Sequence, residues 1–251
     1  MIVPLERALS KLGLATRTEA RALIEAGRVR VDGRTVRDPR MAVIPERIRL
    51  TIDGRRAERP GRVVVALHKP RGVVTTRRDP QGRTTVYDLL SDLDSHVVPV
   101  GRLDYATSGL LLLTNDTRLA DWLTDPANAV PRIYLVTVRG RVTDADALEL
   151  EQGMRVRDEP LIASRVTVRK TSNRESHLVV ELREGRNREV RRLMEAIGHE
   201  VTRLSRVQFG GVDLNQLRSG AYRVLDDDEL RHAFPRRAIT AKKFAIECLN
   251  A

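Results

Sequence analysis

Aromatic side chains are scarce in this chain of 251 residues: three Phe, four Tyr and one Trp. A core made from it therefore rests on Leu, Val, Ile and Ala, within a hydrophobic fraction of 41%. Cysteine is almost missing. The single Cys248 excludes an internal disulfide framework and fits a reducing compartment. No apolar run approaches the roughly 20 residues needed to span a bilayer. The N-terminus is charged by Glu6 and carries no apolar stretch long enough for a signal peptide. A soluble, cytoplasmic protein is expected. Acidic residues are also short, 34 against 45 Lys+Arg, for a net charge of +11. Such a surplus attracts polyanions, nucleic acid above all; the plain alternative is a merely basic surface. The histidines (His68, His96, His177, His199 and His232) show no metal-ligand spacing, and no phosphate-cradling Walker pattern occurs. No metal site is expected.

Leu5, Ala8 and Leu12 recur at helical spacing, and Gly13 is a good stop. Thr16 and Glu19 form a capping-box pattern that opens a second helix, burying Ala20, Leu23 and Ile24. Arg28 to Arg34 then alternates at period two into Asp32-Gly33, a hairpin signal. Arg17, Arg21, Arg28 and Arg30 cluster on this helix and hairpin, where they suit phosphate contacts. Residues 47–62 contain a possible strand, Ile48 to Ile52, and finish in a polar Pro/Gly stretch expected to be a connector. Residues 63–234 alternate Val-rich strands with two convincing helices, which predicts an α+β domain with a mostly antiparallel sheet. Asp226-Asp227-Asp228-Glu229 is read as a helix cap rather than a metal cluster. Residues 235–251 form a basic tail.

One segment carries most of the functional information. Residues 101–116 read Gly-Arg-Leu-Asp-Tyr-Ala-Thr-Ser-Gly-Leu-Leu-Leu-Leu-Thr-Asn-Asp. The leucines 110–113 predict a short strand buried on both faces, so Asp104 is a carboxylate anchored at the mouth of a core strand. A single aspartate in a turn is usually structural. The whole phrase resembles the signature of pseudouridine synthases, in the branch that acts on ribosomal RNA. The stretch from Lys69 to Leu90 also matches that branch, and residues 15–33 resemble the S4-like RNA-binding domain. The resemblance implies a small N-terminal RNA-binding domain over 1–46, a connector over 47–62 and a catalytic domain over 63–234.

What the resemblance implies about residues is specific. Asp104 matches the family's essential aspartate. Arg102 matches an arginine that engages RNA near the flipped nucleotide; a surface arginine balancing Asp104 is equally compatible. Tyr134, in the alternating strand Val130 to Val138, matches a tyrosine that packs on the target base and assists proton removal. Residues 184–198 predict an amphipathic helix, with Asn187 as N-cap and Gly198 as stop. On it Arg191 matches the basic partner of the aspartate, a pair that would keep the carboxylate ionised and oriented. Arg188 and Arg192 are RNA-facing or merely solvated. Many relatives carry Gln where this chain has Glu189. Leu204 matches a leucine near the base pocket, and Lys69, Arg78 and Arg83 suit phosphates.

The implied reaction isomerises uridine to pseudouridine in ribosomal RNA, with the large subunit favoured, and the base must leave its stack to be reached. Nothing enters or leaves, so no cofactor is expected. The expected partner is ribosomal RNA or a pre-ribosomal particle, engaged by a monomer. The competing class is a non-catalytic RNA-binding factor of ribosome assembly.

Overall fold

In the computed structural model, residues 2–57 and 61–235 are described. The tail beyond Pro235, with Arg236, Arg237, Lys242 and Lys243, lies outside them. The chain divides into two compact units, Met1–Val64 with Leu93–Val98 and Leu113–Ala120, and the rest.

In the first unit the helices Leu5–Lys11 and Arg17–Glu25 form as the spacing predicts. Thr16 and Glu19 close a full capping box, satisfying two backbone donors. The hairpin pairs Val29–Val31 with Arg34–Val36. Asp32 (φ 49°) and Gly33 (φ 83°) are both left-handed, as a two-residue hairpin turn of this kind requires. Leu5, Leu9, Ala20, Ile24, Val29 and Leu50 are fully or almost fully buried together. The stretch expected to be a connector does more than connect. Leu50–Ile52 pairs with Val29–Val31, and Arg55–Arg56 pairs with Leu50–Ile52, because Leu50 has an apolar face to bury.

The second unit is built on a mixed sheet that is mostly antiparallel, as the strand spacing predicts. Its main path runs Arg165–Thr171, Glu175–Leu182, Arg132–Arg139, Val201–Phe209, Ser108–Thr114, Val64–Lys69 and Tyr222–Val224. Ser108–Thr114 and Val201–Phe209 pair in parallel. All four leucines, 110–113, have no measurable exposure, so this strand is covered on both faces. Parallel pairing is possible only because Gly109 (φ 107°) lacks a side chain: a Cβ there would lie 2.1 Å from the Arg206 carbonyl oxygen. Arg132–Arg139 alternates strictly, with Arg132, Tyr134, Val136 and Val138 buried and Ile133, Leu135, Thr137 and Arg139 less so. Asp226 caps the helix Asp227–Ala233 by accepting from the Glu229 amide, as expected.

Candidate active site

The Gly101–Thr107 loop leads into the buried strand and is held from behind. The Thr107 amide donates to the Asp104 carbonyl at 3.0 Å, and the Gly72 amide to the Tyr105 carbonyl at 2.8 Å. The Thr75 hydroxyl donates to Leu103 O at 2.8 Å. Lys69 Nζ donates to Thr107 O at 2.8 Å and to Pro70 O at 2.9 Å. Lys69 was expected at a phosphate; it is instead completely buried and bonds only to the backbone. Burial pushes its ammonium down to about 8, against the pull of the Asp104 carboxylate.

With its backbone fixed, Asp104 presents a carboxylate that is 30% exposed. It lines a cleft of about 400 Å³ together with Arg102, Leu103, Tyr134, Leu182 and Leu204. The far wall is the Gly185–Val190 turn. The volume falls within the roughly 300–1,000 Å³ usual for small-molecule sites. Tyr134 is 8% exposed and faces the cleft from its strand. Leu204, 6% exposed, sits on the neighbouring strand opposite Val136. The structure thus brings Asp104, Tyr134, Leu204 and Arg102 to one cleft, which Arg191 does not line.

The basic helix is arranged differently from expectation. It runs Glu189–Ala196, with its N-cap at Arg188 (φ 49°) rather than Asn187 and with no side-chain cap. Arg188 Nη1 lies 3.8 Å from Asp104 Oδ2. The expected direct ion pair between Arg191 and Asp104 is not formed. The Arg191 guanidinium is occupied by two carbonyls, Val201 O at 3.1 Å and Ala106 O at 3.4 Å. It stands behind the loop, close enough to feel Asp104: burial and then Arg188 push its pKa down, and Asp104 opposes them.

Glu189 also escaped the sequence reading as a site residue. It lines the cleft and is 3% exposed. Its Oε2 accepts from the Arg186 amide at 3.0 Å, while its buried Oε1 has no hydrogen bond among the described residues. Burial pushes the carboxyl up to about 7, which the Arg186 amide opposes and the neighbouring Glu184 reinforces.

Several arginines expected at RNA are tied to acids. Arg192 bonds Glu159 at 2.6 Å and the Val156 carbonyl at 2.9 Å, and its side chain is only 15% exposed. Arg83 forks onto Asp79. In the first unit, Arg17 and Arg21 both reach Glu6, at 3.3 and 2.9 Å, and Arg28 forks onto Asp53. Arg30 and Arg78 are exposed.

The cleft holds the partly exposed Asp104 carboxylate on a rigid loop, the buried Glu189 carboxyl, an aromatic ring, an apolar wall and a cationic rim. That set can seat a flat base attached to a polyanion and act on it with the carboxylate. No helix among the described residues is long and apolar enough to cross a membrane.

The chain is similar to known proteins. A family model for RNA pseudouridylate synthase matches residues 63–196, and one for the S4 domain matches residues 3–46. The ribosomal large subunit pseudouridine synthase B of Escherichia coli K12 is 39% identical over 255 residues, covering 97% of this chain and 87% of the relative. Its Bacillus subtilis namesake is 34% identical, covering 90% of this chain and 93% of the relative. A solved pseudouridylate synthase superposes with a TM-score of 0.63 at 25% identity, covering 92% of this chain and 99% of that one. With the fold, the loop and the match over more than half its length in agreement, the chain belongs to the RNA pseudouridine synthase family and is an isomerase.

Proposed function

We propose that the protein isomerises one uridine of large-subunit ribosomal RNA, with Asp104 as its catalytic carboxylate. The supporting observation is the convergence of Asp104, Tyr134 and Leu204 on one cleft at the end of the buried leucine strand. The target nucleotide leaves its stack and enters that cleft. The bond between uracil N1 and ribose C1′ breaks, the base turns, and C5 bonds to C1′. The C5 proton is lost and N1 gains one. Asp104 starts the sequence by attack on sugar or base, or by taking a ribose proton. Tyr134 packs on the base and assists removal of the C5 proton. Leu204 closes the wall, and exclusion of water keeps the detached uracil from escaping. Arg102 engages the backbone beside the vacated stack. Arg188 pairs with the carboxylate, and Arg191 acts through the loop rather than on the substrate.

Residues 1–46 recruit structured RNA, through Arg30 and the outward parts of Arg17, Arg21 and Arg28. Exposed Arg78 adds a phosphate contact in the catalytic domain. The protein acts as a cytoplasmic monomer on ribosomal RNA or a pre-ribosomal particle.

The test is pseudouridine mapping of ribosomal and transfer RNA from cells lacking the protein, complemented with wild type or Asp104→Asn. Loss of one large-subunit site, restored by wild type alone, is expected. An assembly defect rescued equally by both proteins, with no site lost, would replace this reading with a non-catalytic assembly factor.

A further inference from the structure

The strand that carries Tyr134 also has an outer side. Strand alternation turns Ile133, Leu135 and Thr137 away from Tyr134 and hence from the cleft. Their register partners share that face: Glu181, Val179 and His177 on one neighbouring strand, Ser205 and Arg203 on the other. One strand further out, Arg165 and Thr167 pair with Glu181 and Val179. Leu135 is 48% exposed at the middle of this surface. A shallow groove of about 200 Å³ runs beside it, lined by Ile133, Val179, Thr167, Arg165, Arg169 and Glu181.

The charges on this face are mostly basic. Among the described residues, Arg165, Arg169 and Arg203 are exposed and form no ion pair. Of the acids on this face, Glu181 is paired with Arg183 at 3.2 Å and Glu175 is hydrogen-bonded to His177 at 3.1 Å, while Asp213, the register partner of Gln208 beside Ile133, is exposed at its edge. Arg203 stands three strands from Arg169, about 14 Å at the usual strand spacing, and Arg165 lies about 13 Å along the strand from Arg169. No Phe, Tyr or Trp shares the face, so it offers no platform for stacking bases. Its middle is aliphatic and its rim carries unpaired guanidinium groups. Guanidinium forks match phosphate oxygens, and this match is indifferent to sequence.

We propose that this outer sheet face is a second RNA-docking surface, gripping the phosphate backbone of the substrate RNA through Arg165, Arg169 and Arg203. It lies on the side of the sheet away from the cleft. It therefore serves a helix of the same large RNA remote in sequence from the target nucleotide, and raises affinity without touching the chemistry. The inference rests on the ribosomal RNA reading for the identity of the RNA. The binding mode does not depend on which RNA it is.

The experiment compares wild type with Arg165→Gln/Arg169→Gln/Arg203→Gln, after confirming equal melting temperatures. Filter binding across a salt series uses two probes: deproteinised bacterial large-subunit ribosomal RNA, and a poly(A)·poly(U) duplex. Pseudouridine formation is measured at saturating ribosomal RNA. On both probes the slope of log affinity against log salt should flatten by about 2–3, and affinity at 0.1 M salt should fall roughly 10- to 100-fold. The turnover rate at saturation should stay the same. Equal affinity and slope for the two proteins on both probes would overturn the proposal, and leave the face to a protein partner or to solvent. Failure of wild type to modify ribosomal RNA would instead sink the substrate assignment, while the duplex slopes still judge the face.

Discussion

Arg188, not Arg191, makes the ion pair with Asp104, at 3.8 Å, and does so from the left-handed residue that caps its helix. Arg191 meanwhile bonds the Ala106 carbonyl, two residues beyond the aspartate. The two arginines therefore do different things, and their variants should separate. Arg188 is 53% exposed, so its pairing is worth no more than about 1 kcal/mol. Arg188→Met should cost less than roughly tenfold in kcat/KM and leave the melting temperature in place. Arg191→Met leaves two carbonyls unpaired, at about 1–3 kcal/mol each. It should lower both the melting temperature and the turnover rate. Equal effects of the two variants on both readouts would contradict this division.

Glu189 contributes to stability with a sign opposite to the usual carboxylate. Its folded pKa of about 7 exceeds the unfolded value near 4.3. Between those values the folded state holds the extra proton, so stability falls as pH rises through this window. Glu189→Gln keeps an acceptor for the Arg186 amide and carries no charge. Its melting temperature should match wild type near pH 4.5 and exceed it by several degrees at pH 8. A difference independent of pH would show that Glu189 is ionised throughout.

Much of this architecture was legible in the sequence because its causes are local. The capping box at Thr16 and Glu19, the Asp32-Gly33 turn, the leucine strand and the Asp226 cap each need only neighbours along the chain. Asp104, Tyr134 and Leu204 meet in one cleft as the resemblance implied. The readings that changed concern long basic side chains, whose partners are remote in sequence. Lys69 is claimed by Thr107, 38 residues on, and Arg192 by Glu159, 33 residues back. Nothing periodic announces such pairs. Asn187 is not the cap because the helix starts one residue later, behind the left-handed Arg188.

Lys69 titrates in a second window. Its folded pKa of about 8 lies below the unfolded value near 10.4. Between the two the unfolded chain holds the extra proton, so this group makes stability rise with pH. Lys69→Met removes that slope and leaves the Pro70 and Thr107 carbonyls without their donor. The variant should be destabilised at every pH. Its deficit relative to wild type should widen from pH 8 to 10 in chemical denaturation. A constant deficit would mean that the ammonium titrates normally despite its burial.

Gly109 should tolerate no side chain. A Cβ would stand 2.1 Å from the Arg206 carbonyl oxygen and 2.6 Å from its nitrogen, both backbone atoms that cannot step aside. Gly109→Ala must part the two parallel strands that carry Leu110 and Leu204. The loss should exceed about 3 kcal/mol, beyond ordinary overpacking. Insoluble protein or a collapsed melting transition is expected. Wild-type stability would mean that the strands do not approach this closely.

In the N-terminal unit, arginines that look alike in sequence should behave differently. Glu6 is 5% exposed, and Arg21 holds it at 2.9 Å with Arg17 behind, which keeps its carboxyl below the ordinary range. Arg21→Gln removes the stronger bond from a buried acid. It should lower the melting temperature of the unit only modestly, because Arg21 itself is half exposed. Arg30 is exposed and forms no ion pair among the described residues. Arg30→Gln should leave the melting temperature unchanged, weaken RNA binding, and reduce the salt slope by about 1. The informative comparison is the pair of variants in both assays. If Arg21→Gln weakened RNA binding as much as Arg30→Gln while melting like wild type, Arg21 would be a phosphate contact first and the clasp on Glu6 incidental.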